Sequence, residues 1–307
     1  MFQTQTMPAR SAEPADTSDG SEPREPLQDP YPSMRTGGDF QDCRLPLDRR
    51  LALIASLVRP GSRVADVGTD HGYLICHLVG KEICPLGFAS DINPQPLENA
   101  RHAVQRSGLE DKVTLMLSDG LSELKPDDVD CVVIAGMGGD LICRMLQQAP
   151  WLKSPDKQLV LQPMTRSETV REYLCENGFA IREERAVACG HFIYTALSAE
   201  YTGEKVKPDE IFCLIGGLPR HPSMDAAGYV RQQSGIQRKK AVGLMRSSGH
   251  RTEAADCYRL AEVLSHIATQ MEQAAQFKGE PSPVKDSALS TDGRDRQEKS
   301  AVEKAGG

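Results

Sequence analysis

Apolar runs and amphipathic helical patterns alternate along the chain from residue 46 to about residue 178. A short apolar run followed by apolar residues at every third or fourth position is typical of a strand followed by a helix. The runs predict five strands, at 63–67, 86–90, 113–117, 129–135 and 158–162. The helical patterns lie at 47–58, 71–79 and 94–107, then in a stretch ending near 146 and at 167–176. Five strands that largely alternate with helices favour a parallel sheet.

The pattern changes after Gly178. Residues 179–188 and 192–199 are predicted to be strands, and the short connection of three residues between them indicates an antiparallel hairpin. Residues 224–276 then show two long helical stretches, with a break near 247–249. We therefore predict an α/β fold, a Rossmann-like sheet of parallel strands with an antiparallel C-terminal hairpin, followed by a small α-helical hairpin domain.

Composition divides the 307 residues further. The overall hydrophobic fraction of 39% is low for a globular enzyme, but the polar excess is concentrated at the ends. Residues 1–43 and 278–307 are rich in charged and small polar residues, so we predict that both are disordered tails. Residues 44–205 are then the sheet domain, and residues 206–277 are the helical domain.

Two classes of protein are disfavoured by the same composition. No segment approaches the roughly 18 consecutive apolar residues of a membrane span, and no signal peptide is recognisable. Nine cysteines are scattered from Cys43 to Cys257 without a Cys-x-x-Cys pair. This spacing favours reduced thiols in a cytoplasmic protein, with no metal site.

Candidate chemistry begins at Val64-Ala-Asp-Val-Gly-Thr-Asp-His-Gly-Tyr-Leu74, where an apolar strand runs through a Gly turn into a helix. Asp91 closes the next strand about 20 residues on, where a carboxylate commonly binds ribose hydroxyls. The turn reads Asp66-x-Gly68-x-Asp70-x-Gly72, which lacks the Gly-x-Gly-x-x-Gly spacing that a dinucleotide needs. Its carboxylates would repel a pyrophosphate and attract a cation, so S-adenosylmethionine is the predicted cofactor.

The following strands end in residues that suit the same ligand. Asp119-Gly120 is placed at the adenine and Ala135-Gly136 at the methyl end. Ordinary strand-end turns are the alternative, since Gly and Asp are common turn residues. Asp70 also has a second interpretation, as the N-cap of the helix. The predicted cofactor-binding residues are Asp66, Gly68, Asp70, Gly72, Asp91, Ile92, Asp119, Gly120, Ala135 and Gly136.

Charge is unevenly distributed along the chain. The formal net charge is −7, but residues 220–252 contain seven basic residues and one acidic residue, Asp225. This basic stretch is a candidate surface for nucleic acid, because Lys and Arg neutralise phosphates. A solvated helix face is the alternative interpretation.

Four motifs resemble the bacterial tRNA (adenine-22-N1)-methyltransferases of the TrmK type. They are the 64–74 segment, Leu109-Glu-Asp-Lys-Val113, Ile134-Ala-Gly-Met-Gly-Gly139 and Leu161-Gln-Pro163. The resemblance extends from residue 46 to about residue 275 and excludes the tails. It implies a methyltransferase domain with a coiled-coil-like helical domain, tRNA as the partner, and methylation of N1 of an adenine in the D-arm region. Cys76 and Met164 depart from the family pattern, in which Pro and Asn are often found.

Within this resemblance, five residues are expected around the target base: His71, Tyr73, Met137, Gln162 and Pro163. Three of them have a structural alternative: a solvent-exposed helix start for His71, core packing for Met137, and a strand-end amide capping a turn for Gln162. The predicted RNA-binding residues are Arg49, Arg50, Arg231, Arg238, Lys239 and Lys240. No obligate protein partner is evident.

Two other functions stay open at this point. The donor site could serve a small-molecule or protein acceptor, or the chain could be a non-catalytic RNA-binding protein on a methyltransferase scaffold. The basic helical segment disfavours the first function. The intact Asp66, Gly68 and Asp91 disfavour the second.

Overall fold

The structure is a computed structural model, which describes residues 47–246 and 249–277. The predicted tails, 1–43 and 278–307, lie outside the described residues. The strands are β1 Val64–Val67, β2 Gly87–Asp91, β3 Val113–Leu117, β4 Cys131–Gly138, β5 Gln158–Thr165, β6 Phe179–Cys189 and β7 Phe192–Tyr201. The helices are α1 Arg49–Leu57, α2 Tyr73–Gly80, α3 Pro94–Arg106, α4 Gly139–Gln148, α5 Ser167–Glu176, α6 Glu210–Ile215, α7 Met224–Met245 and α8 Arg251–Phe277.

The seven strands form one sheet in the order β3-β2-β1-β4-β5-β7-β6. Strands β1 to β5 pair in parallel, whereas β7 pairs antiparallel with both β5 and β6. The predicted fold class, a parallel sheet closed by an antiparallel hairpin and followed by helices, is confirmed.

Helices cover both faces of the sheet, which explains why the parallel strands are continuous apolar runs. Residues of α1, α2 and α3, among them Ile54, Leu78 and Val104, pack with Val64 and Val133 on one face. The opposite face is covered by α4 and α5. Its core residues include Ile142, Leu146, Val170, Leu174 and Leu197.

The ends of several elements differ from the prediction. β4 and β5 each continue about three residues beyond their apolar runs, because Met137 pairs with Pro163 and Gly138 with Thr165. Helix α2 begins at Tyr73, where Gly72 is the N-cap with φ of 69° and no side-chain cap. The alternative of Asp70 as the N-cap is therefore wrong. Helix α6 was not predicted, because six residues are too few for a periodic pattern.

Helices α7 and α8 pack against each other along their length. Small residues make this possible: Ala227, Ala241, Ala254, Ala261 and Ala268 are all buried. The Ser234 hydroxyl donates to the Ala261 carbonyl at 2.7 Å. A third apolar core joins the two helices to α6 and the hairpin, through residues such as Ile193, Ile215 and Leu218. The domain boundary at 205 stays a prediction.

None of the helices formed by residues 47–246 and 249–277 combines the length and the apolar character needed to cross a bilayer.

Candidate functional site

The residues singled out by sequence lie in one row across the carboxyl edge of the sheet. Val67, the last residue of β1, is level with Ser90 of β2 on one side and with Ile134 of β4 on the other. β2 ends one residue later, whereas β4 continues to Gly138 beside β5. One position further along, Asp91 pairs with Leu117 and Ala135 pairs with Gln162. Because parallel strands end at a shared edge, residues up to 100 positions apart are brought together here.

The turn after β1 is held by hydrogen bonds to the adjacent strand β2. The amides of Gly68 and Thr69 both donate to the Ser90 carbonyl, at 2.7 and 3.0 Å. Gly68 has φ of 78°, a left-handed conformation that favours glycine. Gly72 has the same requirement, and a Cβ there would lie 3.1 Å from Ala100 of α3. These two glycines therefore shape the turn and allow α2 and α3 to approach.

Asp66 is a buried carboxyl at the end of β1. Burial raises its pKa to about 6, while a hydrogen bond with Thr69 and the positive charge of Arg50 oppose the shift. The carboxyl thus changes charge just below neutral pH. Perturbed carboxyls in clefts are frequently functional.

Asp91 is half-buried, and one of its oxygens accepts from the Asn93 amide at 2.7 Å. Its other oxygen has no hydrogen-bond partner among residues 47–246 and 249–277. Ile92 beside it is 60% exposed, and so is Leu117, which pairs with Asp91 across β2 and β3. Two large apolar side chains thus lie open to water beside a carboxylate, a combination suited to a flat heterocycle that carries hydroxyl groups. Sequence reasoning missed Leu117, which looked like an ordinary strand residue.

Asp119 and Gly120 follow β3 in a second left-handed turn, in which Gly120 has φ of 61°. The Asp119 side chain is exposed. A Cβ on Gly120 would lie 3.3 Å from Met145 of α4. The loop therefore packs against α4 through Gly120 and leaves the carboxylate of Asp119 on the outside.

Gly136 and Gln162 are linked where β4 bulges. Gly136 leaves the ladder with φ of 77°, and its amide donates to Gln162 Oε1 at 3.1 Å. The same oxygen accepts from Arg50 Nη1 at 3.0 Å. Gln162 Nε2 donates to the Pro163 carbonyl at 3.1 Å, and both residues are buried. Gln162 therefore holds the β4 bulge and orients Arg50.

Met137 covers the first turn. A Cβ on Gly68 would lie only 2.1 Å from the terminal methyl of Met137, so the methionine fills the space that glycine leaves open. Met137 also contacts the core formed with α4 and α5. It is thus both a packing residue and an apolar wall between the ends of β1 and β4.

His71, Tyr73 and Asp70 form an exposed group on the outer side of the turn. The rings of His71 and Tyr73 stack with centroids 5.3 Å apart. His71 Nε2 lies 3.3 Å from Asp70 Oδ2. All three side chains are exposed, which makes them available to a ligand that approaches from solvent.

Arg49 and Arg50 are neighbours in sequence but point to different places. Asp48 caps α1 by accepting from the Leu51 amide, which fixes the first turn of the helix. Arg49 then pairs with Asp225 at the start of α7, at 3.0 Å. Arg50 points to Gln162, and its guanidinium lies 6.0 Å from the centre of the Tyr194 ring. The structure places Arg50 at the site itself, together with Tyr194, which sequence reasoning missed.

The basic residues of α7 are divided between two sides of the helix. Arg231 pairs with Glu272 at 2.6 Å, and Arg238 pairs with Glu262 at the same distance. Lys239 and Lys240 are exposed and make no ion pair within the described residues. From residue 220 to residue 277 there are eight basic and five acidic side chains. The stretch is therefore less positive in the fold than along the chain.

The donor set suits an organic cation better than a diphosphate or a metal ion. Carboxylates end β1 and β2, and two more stand in the turns after β1 and β3. The single arginine that the described structure places among them is held by Gln162. Among residues 47–246 and 249–277, no group of three or more His, Cys, Asp or Glu side chains is arranged to hold a metal ion.

Comparisons with known proteins agree with this site. Residues 47–197 match the family model described as "Methyltransferase domain". The tRNA (adenine(22)-N(1))-methyltransferase of Bacillus subtilis (strain 168) is 32% identical over 174 residues, which cover 57% of this chain and 73% of that protein.

Solved structures add to this agreement. Sp1610 of Streptococcus pneumoniae, a putative tRNA (m1A22) methyltransferase crystallised with S-adenosyl-L-methionine, is 28% identical with a TM-score of 0.62. The match covers 72% of this chain and 100% of that one. The B. subtilis m1A22 tRNA methyltransferase TrmK shares the fold, with a TM-score of 0.62 at 23% identity over 73% of this chain and 98% of that chain.

The fold and the site define a methyltransferase with a nucleoside-type donor site at the carboxyl edge of its sheet. More particularly, the chain belongs to the tRNA (adenine(22)-N(1))-methyltransferase family. The resemblance found in the four sequence motifs is thereby confirmed.

Proposed function

We propose that this protein transfers a methyl group from S-adenosylmethionine to N1 of adenine 22 in tRNA. The observation that carries the proposal is the row of strand-end residues Asp66, Asp91, Ala135 and Gln162, in a chain 32% identical to an enzyme of that name. S-adenosylmethionine, when bound, supplies a methyl group on a positively charged sulfur.

The donor is bound by the ends of β1, β2 and β3. Asp91 uses its unpartnered oxygen for the ribose hydroxyls, and Ile92 and Leu117 enclose the adenine ring. Asp119 and Gly120 lie beside the same ring. The carboxylates of Asp66 and Asp70 attract the cationic methionine end. Charge-assisted hydrogen bonds of this kind are about twice as strong as neutral ones.

The methyl end is directed toward the turn after β4. Gly136 exposes backbone there, and Met137 forms an apolar wall. Adenine N1 carries a lone pair, so this chain need not supply a general base to make the nucleophile. Its contribution is to hold the two reacting groups in line and to exclude water.

The acceptor adenine enters from the side of Pro163, Tyr73 and His71. N1 belongs to the pairing edge of the base, so the nucleotide has to leave its stack before reaction. The exposed His71 and Tyr73 rings supply a surface for that base. Arg50, fixed by Gln162, lies at the inner end of the same space.

The tRNA body is bound by α7 and its neighbours. Lys239 and Lys240 contact phosphates directly, whereas Arg231 and Arg238 lie on the side that faces α8. Arg49 contacts RNA near the start of α7. The proposal includes no protein partner. The reaction takes place in the cytoplasm, where tRNA and the donor are found.

The proposal is tested by incubating the protein with radiolabelled S-adenosylmethionine and bulk bacterial tRNA, then mapping the label by nuclease digestion. We expect label at N1 of adenine 22. Label on a protein or on a small molecule would establish the alternative acceptor. Binding of tRNA without transfer of label would establish a non-catalytic RNA-binding protein.

A further inference from the structure

The tip of the β6–β7 hairpin reaches the carboxyl edge of the sheet beside the acceptor side of the site. Leu161 of β5 pairs with Leu197 of β7, and β7 runs in the opposite direction. Residues 192–196 therefore extend past the last paired residue of β5, toward Gln162 and Pro163. The turn at 189–191 lies at this edge, although the sequence places it after the last parallel strand.

The two faces of this hairpin tip have different surroundings. Ile193 points to the helical core, and a Cβ on Gly228 of α7 would lie 2.7 Å from it. Phe192 and Tyr194 alternate with Ile193, so they occupy the other face. Ala196 continues that face and packs in the core that includes α1. One face therefore anchors the hairpin to α7, and the other extends the α1 side of the sheet beyond its edge.

Phe192 is 66% exposed on that second face. Its ring centre is 6.1 Å from that of Tyr194, at an interplanar angle of 48°. The Tyr194 ring in turn lies 6.0 Å from the Arg50 guanidinium, whose Nη1 reaches Gln162. A continuous series of contacts thus runs from the β4 bulge through Arg50 and Tyr194 to an open phenyl ring.

We propose that Phe192 and Tyr194 form a stacking platform for an unpaired nucleobase of the acceptor RNA, the one next to the target adenine. Proteins recognise unstacked bases by placing aromatic rings and arginine planes against them. Arg50 separates this platform from the methyl end, so the platform receives the neighbour of the adenine. The inference rests on the proposed function, because it assumes an RNA acceptor at this edge.

The test compares Phe192→Ala and Phe192→Trp with a matched control, Phe277→Ala, in which an exposed phenylalanine at the end of α8 is removed. We expect Phe192→Ala to raise KM for tRNA about tenfold, because one base–aromatic stack is lost. Phe192→Trp keeps a ring and stays close to wild type, as does Phe277→Ala. Donor affinity and melting temperature stay unchanged in all three variants.

A second substrate makes the assignment specific. Transcripts are prepared with an abasic site on either side of the target adenine. At one of the two positions, we expect the abasic site to lower kcat/KM of the wild type about tenfold. For Phe192→Ala, kcat/KM with that abasic transcript should equal its kcat/KM with the intact transcript. If the abasic site and Phe192→Ala each lowered kcat/KM and the two losses multiplied at both positions, the inference would be overturned. A KM for Phe192→Ala equal to that of the wild type would overturn it as well. Equal losses in Phe192→Ala and Phe192→Trp, or a changed oligomeric state, would also overturn it.

Binding of labelled tRNA, measured by fluorescence anisotropy, separates this inference from the proposed function. If the wild type binds tRNA in a Phe192-dependent way but transfers no methyl group, the platform stands and the proposed function fails. If the wild type methylates adenine 22 and Phe192→Ala binds tRNA normally, only the platform is overturned. Failure of the wild type to bind any tRNA overturns both.

Discussion

At the carboxyl edge of the sheet, residues that are far apart in sequence lie in one row, whereas the cations of α7 are consecutive in sequence and separate in space. Asp66, Asp91 and Gln162 converge because parallel strands end together. Arg238, Lys239 and Lys240 diverge because each helical residue is turned by about 100° from the one before. Residues at the ends of parallel strands are therefore brought together by folding, whereas consecutive charged residues on a helix end up on different sides of it.

Between these two regions lies a buried ion pair. Arg171 of α5 and Glu184 of β6 are both fully buried and pair at 2.7 Å. Arg171 also donates to the carbonyls of Cys213 and Leu214, and Glu184 accepts from the Gly217 amide. Burial by itself would lower the pKa of Arg171, but Glu184 and Tyr229 raise it overall. Arg171 therefore stays charged, and its contacts with Glu184 and with the 213–217 backbone attach the α6 segment to the sheet domain.

The largest expected effect comes from breaking this pair. Arg171→Met leaves the Glu184 carboxylate buried and unpaired, so we expect a loss of about 3–5 kcal/mol in the free energy of unfolding. Urea unfolding measures it. The control is Arg182→Met, which removes an exposed arginine whose partner Glu200 is half-buried, and for which we expect less than about 1 kcal/mol. Equal losses in the two variants would show that the connection is not important for stability.

On the donor side, the variant Asp91→Ala tests the binding of the ribose. The variant loses a charge-assisted hydrogen bond to the ribose, so we expect binding of S-adenosylmethionine to weaken by about 1.5–3 kcal/mol. Calorimetric titration measures the change, with Asp111→Ala, an exposed carboxylate before β3, as the control. An unchanged affinity of Asp91→Ala for S-adenosylmethionine would show that the end of β2 does not bind the donor.

Asp66 gives the donor side a pH dependence. With its pKa near 6, the carboxyl is ionised at pH 7.5 and mostly protonated at pH 5, so the affinity for a cationic donor falls about tenfold over that interval. Asp66→Asn binds weakly and shows no such change. Calorimetric titrations at several pH values measure both proteins, and a flat profile in the wild type would contradict the role of Asp66.

The same group has a cost in stability. Because its pKa is higher in the folded state than in the unfolded state, the fold loses stability as pH rises from about 4 through about 6. Asp66→Asn should therefore melt at a higher temperature than the wild type at pH 7.5. A lower melting temperature would indicate that the carboxylate stabilises the fold.

The smallest expected effect is a difference in tRNA binding between the two sides of α7. Lys239→Ala with Lys240→Ala should reduce the slope of log K against log salt for tRNA binding by about 2, since each phosphate contact contributes about 1. Arg231→Ala with Arg238→Ala should reduce it less, because those arginines already pair with Glu272 and Glu262. Donor affinity stays intact in both. Equal slopes for the two double variants would show that ion pairing does not divide the helix.

The order and type of the main elements could be predicted from the sequence, since each parallel strand is an apolar run and each helix has a clear end. The residues that we propose for the donor could be placed at one edge of the sheet for the same reason, because strand ends carry their own signal. The directions in which Arg49 and Arg50 point could not be predicted, since both belong to one helical turn. Their partners, Asp225 and Gln162, are more than 100 residues away in the sequence.

The aromatic hairpin tip was missed for a related reason. Phe192 and Tyr194 read as ordinary strand residues, because the sequence shows alternation but not which face continues past the sheet. Leu117 likewise gave no signal, since its exposure depends on what lies beside β3. Contacts between elements distant in sequence decide these positions, whereas local pattern decides the elements.

The central claim is that the cleft between Asp66 and Asp91 accepts a sulfonium compound and rejects a diphosphate. Parallel calorimetric titrations of the wild-type protein with S-adenosylmethionine and with NAD test it most directly. We predict saturable binding of the first at one site per chain and no measurable heat from the second. Binding of NAD without binding of S-adenosylmethionine would contradict the account.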